Sequence, residues 1–174
     1  DVIMIGEIRD RNTMKQAIAY AETGHLCLST LHANNANQAM ERVINFFPEE
    51  AHRQLLVDLS LNLAGVVSQR LIPGLHEKLV PAVEVMLNSS YISDLITKGE
   101  FSGIKEAMAR STEIGMCTFD QALYQLYTED RISLDEALHN ADSRTDLALR
   151  IRLAAGVSTH DAGDLSIDTS SPIQ

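Results

Sequence analysis

The stretch DVIMIGEIRDRNTMKQAIAYAETGHLCLSTL, residues 1–31, decides the fold of the front half of this chain. Its first apolar run, Val2–Ile5, is typical of a strand buried on both faces of a parallel sheet. A second apolar run follows at residues 25–31. Between these runs, apolar residues recur at the spacing of an amphipathic helix, at Met14, Ala17, Ile18 and Ala21. Strand, helix and strand within about thirty residues predict a βαβ unit with parallel strands.

Cap and stop residues bound the predicted helices. Asp10 or Asn12 suits the N-cap of the first helix, and Gly24 lies just past its end. A second helix follows the polar turn at residues 34–37 and ends at Pro48. A third helix is predicted to run towards residue 69, because apolar residues recur at Leu55, Leu56, Leu59, Leu63, Val66 and Val67.

A β-hairpin is predicted next. Pro73 and Gly74 form a turn signal between a short strand near residues 71–72 and a longer strand over residues 79–86. Because proline cannot donate a backbone hydrogen bond, Pro81 predicts an edge or bulge position in the longer strand.

The remainder of the chain is predicted to consist of short helices. Ser89 or Ser90 can cap the first of them, and two capping-box patterns follow at residues 118–121 and 133–136. A last helix is predicted over residues 145–154. These patterns predict an α/β unit over residues 1–87, a helical unit over 88–155 and, from its Ser, Thr, Asp and Gly content, a disordered tail over 156–174.

Composition excludes several classes of protein. The 174 residues include 14 basic and 24 acidic side chains, a formal charge of −10, which argues against nucleic acid or an anionic membrane surface as a partner. Two cysteines are too few for a disulfide scaffold or a four-thiolate zinc site. No apolar run is long enough to span a membrane. The chain opens at Asp1 directly on an apolar strand, so we expect it to be a piece of a longer protein.

Polar side chains follow both predicted strands, at the edge of the sheet where ligands bind in open α/β folds. Glu7 follows the first strand after one glycine, and Thr30 and His32 follow the second. A carboxylate there can hold a magnesium-bound water or orient an attacking water, and a histidine can hydrogen-bond a terminal phosphate. Structural alternatives exist, since Glu7 could cap the next helix and His32 could be an ordinary loop residue.

Two neighbouring residues leave alternatives open. His25 could belong to the site or could interact with the C-terminal end of the first helix. It cannot share a metal ion with His32, because seven residues of extended strand separate them by about 20 Å. Arg9 could contact phosphate or a neighbouring subunit, or pair locally with Asp10 or Glu7. The phosphate-binding pattern GxxxxGK[ST] does not occur in the 174 residues, so this chain cannot hold a triphosphate as P-loop enzymes do.

Four blocks taken together resemble the secretion-superfamily ATPases that drive type IV pili and type II secretion. They are DVIMIGEIRD (1–10), AETGHLCLSTLHANNA (21–36), RVINFFPEE (42–50) and GVVSQRL (65–71). The first is similar to the Walker B box of that family and the second to its His box, at matching separation. The resemblance covers about residues 1–155.

Two features indicate the branch. The segment after residue 71 lacks the four-cysteine zinc motif usual in assembly and secretion ATPases, and FFP at residues 46–48 is similar to the PilT/PilU retraction ATPases. Where PilT-like members carry Ala-Ile-Arg-Asn-Leu, this chain has Tyr-Ile-Ser-Asp-Leu at residues 91–95. The replacements favour the accessory PilU-like branch, as does the segment over residues 116–143.

The resemblance implies the C-terminal half of a RecA-like P-loop ATPase core, with parallel strands and a β-hairpin, followed by a helical subdomain. It implies Glu7 as the Walker B acid acting through water or Mg²⁺, and His32, with His25, Arg9 and Thr30, as residues that bind or sense ATP. The family's P-loop and acidic box are expected upstream of Asp1, and either that box or Glu7 could supply the general base.

The resemblance also implies partners and a location. A homohexamer is expected, with a PilT-type paralogue and the inner-membrane pilus platform protein as partners, in the cytoplasm at the pilus base. The expected function is ATP-driven pilus retraction and twitching motility. Two alternatives are a non-catalytic module that acts by assembling with a catalytic paralogue, and a type II secretion ATPase, which the scattered Cys27 and Cys117 disfavour.

Overall fold

The computed structural model describes residues 1–156. The predicted disordered tail, apart from its first residue, Gly156, lies outside the described residues.

The first three elements form the predicted βαβ unit. Strand β1 (Val2–Ile5) pairs in parallel with β2 (Leu26–Ser29), and helix α1 (Arg11–Glu22) connects them. The side chain of Asp10 accepts a hydrogen bond from the backbone N–H of Thr13, which makes Asp10 the N-cap. Gly24 adopts φ 85° just past the helix, a conformation that favours glycine.

The prediction that β1 is buried on both faces is wrong for the described chain. Val2 and Met4 are 62% and 68% exposed, and their partners Leu26 and Leu28 are exposed on the same face. Ile5 and Cys27, on the other face, pack against the buried core. In the described part of the chain, this two-stranded sheet is covered on one face and exposed on the other. Only half of the side chains in the continuous apolar run are therefore turned towards the core.

Helices α2 (Ala36–Asn45) and α3 (Glu49–Asn62) follow, separated by Pro48 as predicted. The prediction that α3 runs towards residue 69 is wrong, because the chain leaves the helix at Leu63 and residues 65–73 form a strand. The β-branched Val66 and Val67 belong to that strand, where each pairs across to β4. Short apolar runs satisfy helical and strand spacing alike, which explains the error.

The β-hairpin forms as predicted. Strand β3 (Gly65–Pro73) pairs antiparallel with β4 (Leu79–Leu87), so the strand expected near residues 71–72 is longer than predicted. Pro81 lies on β4, which is an edge strand within the described residues because β3 is its ladder partner in a two-stranded sheet.

Five helices follow: α4 (Ser90–Lys98), α5 (Ile104–Ala109), α6 (Phe119–Thr128), α7 (Leu134–Asn140) and α8 (Arg144–Ala154). Ser89 caps α4, and Thr118 forms a complete capping box with Gln121 at the start of α6. At α7 only half of the predicted box forms. Ser133 caps the helix, but the side chain of Glu136 accepts from Asn140 instead.

Buried side chains form two clusters. The first joins α1–α3 to α4 and α5, with Met40, Met86 and Ile92 among its most buried members. The second packs the turn end of the hairpin against α6–α8, around Phe119 and Leu123. Each cluster contains residues from both sides of the predicted boundary at residue 87, and the division into two units stays a prediction.

Candidate functional site

The carboxyl ends of β1 and β2 are held together by two hydrogen bonds beyond the strands. The hydroxyl of Thr30 donates to the backbone carbonyl of Gly6, and the backbone N–H of Ile8 donates to the carbonyl of Thr30 at 3.0 Å. The Ile8 side chain is buried in the first core cluster. Glu7 is therefore fixed between two anchored residues, with its carboxylate at the end of the sheet.

The carboxylate of Glu7 contacts two of the predicted site residues. Its Oε1 lies 2.9 Å from Nε2 of His32, and its Oε2 accepts from Nε of Arg9 at 2.5 Å. Glu7 is mostly covered, with 19% of its side chain exposed, whereas His32 and Arg9 are exposed by more than 75%. The structure thus brings together Glu7, His32, Arg9 and Thr30, and Arg9 forms one of the local pairs considered from the sequence.

His25 lies elsewhere. It precedes β2, whereas His32 follows that strand, so the two histidines are at opposite ends of it. Its Nδ1 is 3.1 Å from the hydroxyl of Thr23, and its ring meets Tyr20 edge-on. These contacts at the end of α1 match the structural alternative, and a part for His25 at the nucleotide stays a prediction.

The donor set allows one kind of magnesium contact. Mg²⁺ in phosphate-transfer sites is held by one or two carboxylates together with water and phosphate oxygens. Glu7 supplies one carboxylate, and the described residues contain no group of three His, Cys, Asp or Glu side chains able to hold a metal. The site therefore fits a water-mediated contact to a metal brought in with phosphate.

Sequence reasoning missed two residues behind this site. Glu84, on β4, is 3% exposed, and its Oε1 accepts from the backbone N–H of Ala36 at 2.8 Å. Burial raises the pKa of Glu84, an effect increased by Asp142 and opposed by the backbone N–H groups of Ala36 and Phe119 and by Arg70. Arg70, on β3, lies in the block at residues 65–71 that resembles the family, and that resemblance assigns it no role. The signal for Glu84 was available: it is the one charged residue in the run LVPAVEVML, at a core-facing position.

Comparison of the chain with known proteins identifies its family. The family model described as type II/IV secretion system protein matches residues 1–148. The chain belongs to this family. The parallel strands, the hairpin and the helices agree with the predicted α/β fold class, and the solved structure of the pilus retraction motor PilT with bound ADP superimposes with a TM-score of 0.75. That match has 33% sequence identity and covers 86% of this chain and 42% of the other.

Two relatives from Pseudomonas aeruginosa agree with the PilT/PilU resemblance. The type IV pilus ATPase PilU is 58% identical over 95% of this chain, and the type IV pilus retraction ATPase PilT is 35% identical over 81%. This chain spans 43% of the length of PilU and 41% of that of PilT. Within the described residues, no helix has the length and apolar content needed to cross a membrane.

The segment at residues 91–95, whose replacements predict the PilU-like branch, lies on α4. Ile92 and Leu95, the positions shared with the PilT-like pattern, are buried in the first core cluster. Of the replaced positions, Tyr91 is 61% exposed and Asp94 pairs with Lys98 at the surface, while the hydroxyl of Ser93 donates to the carbonyl of Ser60. The buried positions Ile92 and Leu95 are therefore kept, and two of the three replaced positions, Tyr91 and Asp94, lie on the exposed side of the helix.

Proposed function

We propose that this chain is the C-terminal part of the motor ATPase of a type IV pilus, and that the motor powers pilus retraction. The observation that carries the proposal is the contact between Glu7 and His32 at the carboxyl ends of two parallel strands. The identity to PilU over 95% of the chain supports the same conclusion. Residues outside these 174 would supply the P-loop, and assembly as a homohexamer is part of the proposal.

In this mechanism, Glu7 and His32 act on the terminal phosphate of ATP and on the attacking water. Nε2 of His32 lies within hydrogen-bond distance of Glu7, and a terminal phosphate would compete with Glu7 for an N–H at that nitrogen. When His32 turns to the phosphate, Oε1 of Glu7 is freed to accept a hydrogen bond from water. His32 thus reports the terminal phosphate, and Glu7 orients water only when that phosphate is present.

Arg9 and Thr30 have supporting parts. Arg9 holds Oε2 of Glu7 and keeps its own guanidinium exposed, where it can reach phosphate or a neighbouring subunit. Thr30 fixes the backbone on either side of Glu7. Glu7 would hold Mg²⁺ through water, and the ion would supply neutralisation of charge on the phosphates. The proposed location is the cytoplasmic face of the inner membrane, against the pilus platform protein.

A second candidate function is an accessory module that acts through a PilT-type paralogue. The exposed side of α4 favours it, because Tyr91 and Asp94 replace the Ala and Asn of the PilT-like pattern at surface positions. The candidates are separated in a strain that carries the full-length protein with Glu7→Gln. Retraction that persists at the unmodified rate, with co-assembly of the paralogue, supports the accessory module. Loss of phosphate release and of retraction together supports the motor.

A further inference from the structure

We propose that Arg70 and Glu84 position the β2–α2 loop (residues 30–35) against helices α6–α8, and so act as positioning residues for His32. The proposal rests on the proposed function for the part played by His32. The supporting observations are the contacts of these two side chains, which project from the same face of the hairpin.

Arg70 contacts the loop and the C-terminal helices at once. Its Nη2 donates to the backbone carbonyl of Asn34 at 3.4 Å, two residues after His32. The same guanidinium donates to the carbonyl of Asn140 at 2.9 Å and to the carboxylate of Asp142 at 2.7 Å, both at the end of α7. Its central carbon lies 3.9 Å from the ring centroid of Phe119, the first residue of α6. One planar, multi-donor group therefore joins three segments.

Glu84 makes a second connection of the same kind. Its carboxylate accepts from the N–H of Ala36, the first residue of α2, at 2.8 Å. The N–H of Phe119, the first residue of α6, also faces this carboxylate and favours its charged form. The free N–H groups at these two helix N-termini favour the charged carboxylate and so oppose the effect of burial, which is larger and raises the pKa of Glu84. Glu84 thus fixes the starts of α2 and α6 relative to each other.

The two side chains are neighbours on the hairpin. Arg70 pairs across the sheet with Ala82, and Glu84 pairs with Ser68, so the two charges are diagonal on the core-facing side. The first core cluster contains residues of α2, and the second contains residues of α6–α8. Among the described residues, no buried residue belongs to both clusters. The apolar clusters thus provide no shared buried residue between α2 and the C-terminal helices. Arg70 and Glu84 connect the two parts through polar contacts instead.

The mechanical consequence follows from the position of His32. The loop is short, with β2 at one end and α2 at the other, so a shift of Asn34 or Ala36 moves His32 relative to Glu7. A displacement of α6–α8 is transmitted to that loop through Arg70 and Glu84. The helical part of the chain and the proposed phosphate sensor are thereby coupled.

The first test measures the loop directly, by hydrogen–deuterium exchange on the full-length protein. Arg70→Ala is expected to raise the exchange rate of the amides of residues 33–39 by about tenfold. The loss of a hydrogen bond to a charged group changes a local opening equilibrium by about that factor. Arg131→Ala is the matched control, because Arg131 also joins the hairpin to the C-terminal helices, through Glu77 at 2.9 Å, without touching the loop. Equal exchange in Arg70→Ala, Arg131→Ala and the unmodified protein would overturn the proposal.

Two milder variants keep this test decisive if Arg70→Ala does not fold. Arg70→Lys keeps the charge and loses the multi-donor geometry, and Glu84→Gln keeps one acceptor oxygen of two. Each is expected to raise exchange of the same amides by about threefold, an intermediate effect. Unchanged exchange in both would also overturn the proposal.

The second test separates this inference from the proposed function. It compares affinities of the full-length protein for a non-hydrolysable ATP analogue and for ADP. Arg70→Ala and His32→Ala are each expected to reduce the preference for the analogue by about tenfold, and the double variant to reduce it no further, because one residue acts through the other. Misfolding changes the number of binding sites and leaves this preference unaltered.

Two outcomes are then distinct. If His32→Ala reduces the preference and Arg70→Ala does not, the positioning role is wrong while the proposed function survives. If His32→Ala itself has no effect, the assignment of His32 in the proposed function is wrong. The exchange measurement then decides alone whether Arg70 and Glu84 hold the loop.

Discussion

Nε2 of His32 lies 2.9 Å from Oε1 of Glu7, although 24 residues and a helix separate the two in the chain. Parallel pairing causes this proximity, because it places the carboxyl ends of β1 and β2 at the same edge. A carboxylate with 19% exposure and an exposed imidazole then lie within hydrogen-bond distance of each other at a solvent-accessible edge.

The first prediction concerns phosphate release. Glu7→Gln in the full-length protein is expected to lower ATP turnover by at least 100-fold, since a positioned acid or base contributes about 10²–10⁴-fold. His32→Ala is expected to lower turnover by at least tenfold, because it removes one charge-assisted hydrogen bond. Phosphate release under saturating ATP is the measurement. Glu113→Gln and His76→Ala, both at exposed positions, are the controls, and turnover at the unmodified rate in Glu7→Gln would contradict the assignment.

The second prediction concerns the hydroxyl of Thr30. Thr30→Val keeps the shape of the side chain and removes its hydrogen bond to Gly6, so Glu7 loses one of its two backbone anchors. Turnover is expected to fall by about fivefold, the equivalent of about 1 kcal/mol, with unchanged affinity for ADP. Thr30→Ser restores the hydroxyl and is expected to restore turnover. A loss of ADP affinity in Thr30→Val would instead place Thr30 at the phosphates.

The third prediction concerns pH. Burial raises the pKa of Glu84 above its ordinary value of 4.5, so the folded protein ionises this carboxyl less readily than the unfolded chain does. The contribution of Glu84 to stability is greatest below that ordinary value and falls as pH rises through the raised one. The melting temperature of the unmodified protein relative to that of Glu84→Gln is therefore expected to fall as pH rises from about 4.5 towards neutrality.

The same pH series needs a control for the loss of one charge. Glu113→Gln, at an exposed position, supplies it. Arg70, Asp142 and Cys117 also face Glu84, and because they are present in both proteins their own effects largely cancel in the comparison. A difference in melting temperature that stays constant, or that rises with pH, would contradict the prediction.

The fourth prediction concerns the open face of the β1–β2 sheet. Val2, Met4, Leu26 and Leu28 form an exposed apolar surface beside unpaired strand edges within the described chain. The 174-residue chain alone is expected to self-associate in light scattering, and Met4→Lys with Leu28→Lys to reduce that association. Leu61→Lys, on the exposed side of α3, is the control. A monomer at every concentration would contradict the expectation.

Local patterns predicted most of the elements. The sequence predicts caps at Asp10 or Asn12, at Ser89 or Ser90 and at Thr118, because a cap lies within four residues of the N–H group that it accepts from. The structure selects Asp10 and Ser89. The end of α3 was misplaced, because the Val66–Val67 pair fits helical spacing and becomes strand only by pairing with β4. The site residues after β1 and β2 were predicted from the sheet edge and from the resemblance, and their chemical roles stay predictions.

The amino-acid sequence alone predicts the βαβ unit, the hairpin turn and most helix caps, because each depends on residue order over short distances. The family follows from four sequence blocks, two of them at matching separation. The packed fold is needed to see that His32 meets Glu7 whereas His25 faces Thr23. It also shows that Arg70 and Glu84 join the β2–α2 loop to the C-terminal helices. Those contacts depend on which faces of distant elements meet when the chain packs. The role of a buried carboxyl such as Glu84 depends on the N–H groups that surround it. Those groups come from distant segments of the chain, so the sequence around Glu84 does not reveal them.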